Sequence, residues 1–380
     1  MSLPDSRFDA ERLDRLGAKL RSDVEAGRIH GAAMKVSRHG EVIADIIEGY
    51  ADKEAGRLLE RDSVFLIMST TKPMTNALAL SLVEQGKLRL HTPVADVIPE
   101  FAHFGKETVN LCHLMTHTSG TAKGIPPLDI LVDIEKLTGY ACSVPPECAP
   151  GERVDYSLLI AHSIIGAMCV RADGHGRTFS TMMAEDLFQP LGMNDSNLGP
   201  RADLMKRLCP VTLAHRPPWQ IPMDEYAKLF LQEGGELPAG NVISTIDDLH
   251  RFTEMLRRGG ELDGVRILSP AMIRYCARIH TGTMVDAGMT GYEKVRNWVT
   301  SPANIGIGFR VRGDNVAPGP FGLLNSPGTF GHFGAGSTGI WVDPEHELAY
   351  SFLSTGLLEE TYSMERTAIL SDLVMSALID

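Results

Sequence analysis

No apolar run in this chain of 380 residues approaches the roughly 20 residues that a membrane-spanning helix needs. The first residues carry Asp5, Arg7, Asp9, Glu11 and Arg12 without an apolar stretch, so no signal peptide is read and a cytoplasmic location is expected. Cysteine is sparse. The six (Cys112, Cys142, Cys148, Cys169, Cys209 and Cys276) show no metal-ligand spacing, and the nearest pair, Cys142 and Cys148, is not C-x-x-C. That pattern fits structural thiols in a reducing compartment better than a disulfide framework. Positive charge is in deficit, with 36 Lys and Arg against 48 Asp and Glu, a net charge of −12 and a pI near 5.6. Nucleic acid and anionic membranes are therefore disfavoured as partners, leaving a small molecule. No G-x-S-x-G occurs, which excludes the nucleophile elbow of the α/β-hydrolases. His346-Glu347 lacks the second histidine of a zincin, so neither a metal nor a cofactor is expected.

What the chain does have is length for two or three structural units and 43% hydrophobic residues, ample for a large core. Apolar positions at helical spacing (Leu13, Leu16, Leu20, Val24) predict an amphipathic helix from Phe8 to Ile29. Residues 32–37 and 42–50 read as strands joined at Arg38-His39-Gly40-Glu41, and Ile340–Val342 with Leu348–Phe352 form a second hairpin around Asp343-Pro344-Glu345-His346. Residues 69–200 read as mainly helical. Residues 201–235, with several prolines, Trp219 and Tyr226, read as a loop or lid. Ser244-Thr245-Ile246-Asp247-Asp248 opens a helix, and a last helix spans about Glu359 to Ile379. Strands at both ends with helices between imply one sheet built from both termini and a helical insertion.

Three local patterns carry chemistry. In Ser69-Thr70-Thr71-Lys72-Pro73 a hydroxyl stands three residues before an amine at a helix start, since proline is tolerated only in the first turn. Residues three apart share a helix face, and free N–H groups gather at that end, ready for an oxyanion. Alone, the pair reads more readily as an N-capping serine with a solvated lysine. In Ala149-Pro150-Gly151-Glu152-Arg153-Val154-Asp155-Tyr156-Ser157 a Pro-Gly turn delivers Tyr156 just before a helical run from Leu158 to Val170. A phenol there can relay a proton, or simply pack its ring in the core. In Gly328–Gly339 the glycines allow close backbone approach. Gly334-x-Gly336-x-x-Gly339 formally matches a dinucleotide fingerprint, but a strand and hairpin follow where that motif needs a helix. A bulged edge strand is the other reading.

In this order the three patterns resemble the serine β-lactamase/penicillin-binding-protein superfamily, in particular its class C-like branch with the family VIII carboxylesterases. Leu111-Cys112-His113-Leu114-Met115-Thr116-His117-Thr118-Ser119-Gly120 and Ala239-Gly240-Asn241-Val242-Ile243-Ser244-Thr245 add to the resemblance, which covers nearly the whole chain. It implies Ser69 as nucleophile, Lys72 as its amine partner and Tyr156 as the catalytic tyrosine. The backbone N–H groups of Ser69 and Ala335 would form the oxyanion hole, and His332-Phe333-Gly334 would stand in the place of a Lys-Thr-Gly-type motif that contacts substrate. It further implies a mixed α/β fold, mainly an antiparallel sheet flanked by helices with an inserted all-helical domain; residues 1–64 and 236–380 would form the sheet domain and residues 65–235 the mainly helical one.

Two departures point away from lactams. Leu158 stands where the Tyr-x-Asn motif has a polar side chain, and His332 stands where lactamases carry lysine. His117, which could pass for a triad base, falls in the structural element and is expected to pack or hydrogen-bond. The expected activity is hydrolysis of small esters through an acyl-serine. Alternatives are an acyltransferase onto a metabolite hydroxyl, a β-lactamase or D-amino-acid peptidase, and a silent ligand-binding or scaffold relative. Neither the natural ester nor the oligomeric state can be read from the sequence.

Overall fold

The computed structural model describes residues 8–121, 124–214, 222–316 and 319–379; Asp5, Arg7 and Trp219 lie outside them. Seven strands form the main sheet. In spatial order they are Arg57–Leu58, Glu41–Asp52, Gly31–Arg38, Leu348–Thr355, Thr338–Asp343, Phe330–Gly334 and Arg310–Val311, with every neighbouring pair antiparallel. The N-terminal hairpin thus joins the C-terminal one in a single sheet, Gly31 opposite Thr355 and Arg38 opposite Leu348. This is the mixed fold expected, a mainly antiparallel sheet flanked by helices.

The sheet is covered on both faces, which explains why its strands are richer in apolar residues than a half-exposed sheet would be. Side chains alternate across a strand. Ala32, Met34 and Val36 accordingly join the core beneath helices Ala10–Glu25 and Glu360–Ser376, with Leu16, Leu20, Trp341, Leu370 and Val374. Ala33 joins the other core, which extends into the helical half. The first helix is shorter than its apolar stripe suggests. Asp9 caps it by accepting from the Arg12 amide at 3.1 Å, and Gly27, at φ +67°, lies just past its end. Thr245 caps Ile246–Arg257 in the same way, accepting from Asp248 N.

Between Phe65 and Gly235 helices dominate, but the stretch is not all-helical. Phe65–Leu66 and Asn197–Leu198 both pair with Val242–Ser244 in a three-stranded sheet. Such two- and three-residue strands are too short for periodicity to reveal. The segment expected as a loop or lid contains the helices Ala202–Met205 and Met223–Phe230. Among the described residues no helix is long and apolar enough to cross a membrane.

Candidate active site

Ser69 lies in a 3₁₀ turn, Met68–Thr70, that runs directly into helix Thr71–Glu84. Met68 enters that turn at φ +51°, a left-handed conformation that costs a non-glycine residue on the order of 1 kcal/mol. The surroundings hold it there. Thr338 donates its hydroxyl to the Ile67 carbonyl at 2.8 Å, and its Oγ1 lies 3.0 Å from Thr70 Oγ1. These bonds press strand Thr338–Asp343 and its neighbour Phe330–Gly334 against the turn. Gly334 permits the approach: a Cβ there would come within 2.5 Å of the Ile67 carbonyl oxygen and 2.2 Å of Thr338 Oγ1. The glycine density read from the sequence is a close-approach device, here beside the serine.

Lys72, one turn along the helix from Ser69, is fully buried. Its Nζ lies 2.9 Å from each of three oxygens: Ser69 Oγ, the Leu158 carbonyl and the Ala239 carbonyl. Burial, reinforced by the Arg310 charge, lowers its pKa to about 7. Near neutral pH a substantial share of the molecules therefore carries a neutral amine. That amine has two N–H bonds and a lone pair. The two carbonyls use the N–H groups, which leaves the lone pair for the Ser69 hydroxyl.

Tyr156 lines the same cavity as Ser69, and burial raises its pKa although the neighbouring Ser69 side chain works to lower it, so the phenol keeps its proton. Lys72 Nζ stands 5.2 Å from its ring centroid. The loop holding Tyr156 is fixed by His117: Asp155 N donates to the His117 carbonyl at 2.9 Å and Ser157 N to its Nδ1 at 3.0 Å. The His117 ring packs 4.5 Å from the Tyr156 ring, and burial lowers its pKa well below the usual histidine value. Packing and hydrogen bonding were what the sequence predicted for His117.

The third pattern divides by strand alternation. Phe333 and Ala335 line a cavity that also exposes Ser69, Tyr156 and Leu158, while His332 and Gly334 do not line it. His332 is 4% exposed, with Nδ1 donating to the Phe333 carbonyl and its ring 6.0 Å from Tyr156. Burial first, then Arg310 and Lys72, hold its pKa well below normal, so it is neutral. His332, expected to contact substrate, packs behind Tyr156 and is not among the residues that line the cavity.

Arg310 supplies the positive charge, and the sequence reading missed it. Its guanidinium lies 5.1 Å from the ring centroids of both Tyr156 and Phe333 and pairs with Asp286 at 3.3 Å. A lone arginine on a two-residue strand, Arg310–Val311, has no spacing that announces it. The cavity holds about 250 Å³. Its walls are mainly apolar, including Leu158, Leu159, Met223, Phe230, Met289 and Leu358, with Asp286, Arg310, Tyr292, Glu359 and Glu360 among the polar lining residues. Among the described residues no His, Cys, Asp and Glu cluster could hold a metal ion.

The arrangement can deprotonate a hydroxyl beside an apolar pocket. Activity that needs neutral Lys72 should rise with pH through about 7 and level off above. Arg310→Met removes the cation that disfavours protonated Lys72. The acid limb of kcat/KM should then move to higher pH, measured on an ester across pH 5 to 9. An unmoved or acid-shifted limb would contradict the electrostatic role of Arg310.

Residues 16–373 match the model of the family described as Beta-lactamase. The chain is 26% identical over 362 residues to the Mycobacterium tuberculosis protein called Esterase/beta-lactamase LipL, covering 87% of this chain and 78% of that one. Among solved structures it resembles a penicillin-binding protein homologue from Caulobacter crescentus (TM-score 0.78, 23% identity, 100% and 99% of the two chains). It also resembles a family VIII carboxylesterase (TM-score 0.78, 22% identity, 97% and 98%). At those identities the two structures speak for the fold.

Proposed function

The chain belongs to the β-lactamase family, and from that premise we propose that it is a serine carboxylesterase cleaving small esters with a largely apolar acyl chain. One observation carries the proposal: Lys72 Nζ is suspended between two backbone carbonyls with Ser69 Oγ as its third neighbour. A lysine held this way at a pKa near 7 is a general base for the serine.

Ser69 Oγ attacks the ester carbonyl as Lys72 takes its proton. The N–H groups of Ser69 and Ala335 receive the oxyanion, a kind of contact worth about 3 kcal/mol per donor. Tyr156, protonated and beside Ser69 in the cavity, passes a proton to the departing alkoxide and is restored from Lys72. Water then attacks the acyl-serine by the same relay. The apolar walls favour a short or medium acyl chain and keep competing polar groups out.

Esters should be preferred to lactams. Leu158 lines the cavity with a side chain that cannot hydrogen-bond a substrate amide, and neutral His332 packs away from it. Two missing contacts of roughly 1.5 kcal/mol each amount to about a hundredfold. The test compares kcat/KM for p-nitrophenyl butyrate with nitrocefin and benzylpenicillin. A lactam preference would move the activity to that of a β-lactamase.

A further inference from the structure

The polar groups lining the cavity are not equally free to meet a substrate. Arg310 is tied to Asp286 and sandwiched between two aromatic rings. Asp286 Oδ1 also accepts from the Gly288 amide at 3.0 Å. Glu359 is occupied as the cap of the last helix, accepting from both the amide and the hydroxyl of Thr361. Glu360, the first residue of that helix, is different. It lines the cavity together with Ser69, Tyr156 and Tyr292, and its side chain makes no hydrogen bond among the described residues.

A carboxylate left without a hydrogen bond in a mainly apolar cavity costs free energy unless something uses it. We propose that Glu360 is a specificity-determining residue that favours substrates carrying an ammonium group and rejects those carrying a carboxylate. The inference rests on the esterase reading and names the charge of the substrate that reading leaves open. Arg310 attracts Glu360 but is paired with Asp286 and is the one cation lining the cavity among the described residues, where it faces the three carboxyl groups of Asp286, Glu359 and Glu360. In a site of reduced dielectric, a charge a few ångströms from a carboxylate is felt far more strongly than in water. Burial raises the Glu360 pKa to about 7, so at pH 8 most molecules carry the negative charge.

A glutamate in the first turn of a helix can also serve only to complement the helix dipole. That role would be served from a solvent-facing position and would not bear on which ester is cleaved.

The experiment uses the full chain at pH 8 and p-nitrophenyl esters whose acyl chains end in a methyl, a trimethylammonium or a carboxylate group. Wild type should turn over the ammonium ester at least as well as the neutral one and the carboxylate ester about tenfold worse or more. Glu360→Gln keeps the side chain's size and should bring the carboxylate ester to within about threefold of the neutral one, read as the ratio of the two kcat/KM values within the variant. Thermal unfolding reports that the variant is folded. A parallel binding series with arylboronic acids bearing ammonium or carboxylate groups reads the same preference without turnover. If no ester is cleaved, the esterase reading fails while the boronates still decide the role of Glu360. Equal charge preference in wild type and Glu360→Gln would overturn the proposal.

Discussion

Replacing Ser69 by alanine is expected to lower kcat for p-nitrophenyl butyrate on the order of 10⁴-fold or more, to the level left by binding and oxyanion contacts alone. The reason is chemical. Lys72 Nζ lies at Ser69 Oγ, and Tyr156 lines the same cavity beside it. The substitution should barely disturb the fold. It removes one hydroxyl from a half-buried site, and Lys72 keeps the Leu158 and Ala239 carbonyls. A stability loss of about 1 kcal/mol is expected, the usual worth of one hydrogen bond, and thermal unfolding would check it. The variant should also fail to gain acyl mass when incubated with an activated ester. Near-wild-type kcat in a folded Ser69→Ala protein would dismiss Ser69 as nucleophile.

Lys72 and Tyr156 should behave as one proton-handling unit. Lys72→Met and Tyr156→Phe are each expected to reduce kcat by about 10³-fold, and the double variant by little more, because either loss breaks the same relay. The two substitutions are chosen to spare the packing. Phenylalanine keeps the ring that rests against His117 and Arg310. Methionine fills the lysine's channel and removes a buried amine, though it leaves two carbonyls without their donor. The pH profile gives an independent reading. Tyr156→Phe should keep the acid limb near pH 7, since Lys72 still titrates there, whereas Lys72→Met should lose it. Fully additive losses in the cycle would show two separate roles instead of one.

Much of this site was written locally. Ser69 and Lys72 are three apart on a chain that Pro73 marks as entering a helix, and helical geometry alone brings such residues together. The short turns at Gly40 and Pro344 fixed which strands form hairpins, and the Pro-Gly turn delivered Tyr156 to the start of a helix. The glycine-rich strand was legible as a strand, whereas the side each of His332, Phe333 and Gly334 faces was not: Phe333 and Ala335 line the cavity, and His332 packs behind Tyr156.

Other properties had no local signature. The proton affinity of Lys72 depends on carbonyls 86 and 167 residues further along and on Arg310 from a two-residue strand. Desolvation and Coulomb forces act through space, so their effect is set only once distant segments meet. The same holds for Glu360. In the sequence it is one of two acids at a helix start, indistinguishable from a cap. The last helix packs against the sheet in such a way that Glu359 caps while Glu360 lines the cavity. The sequence by itself determined which groups could react, because covalent spacing and helical period are local. Only the tertiary structure decided how strongly the base holds its proton and which charge the pocket presents, because burial and distance are properties of the whole fold.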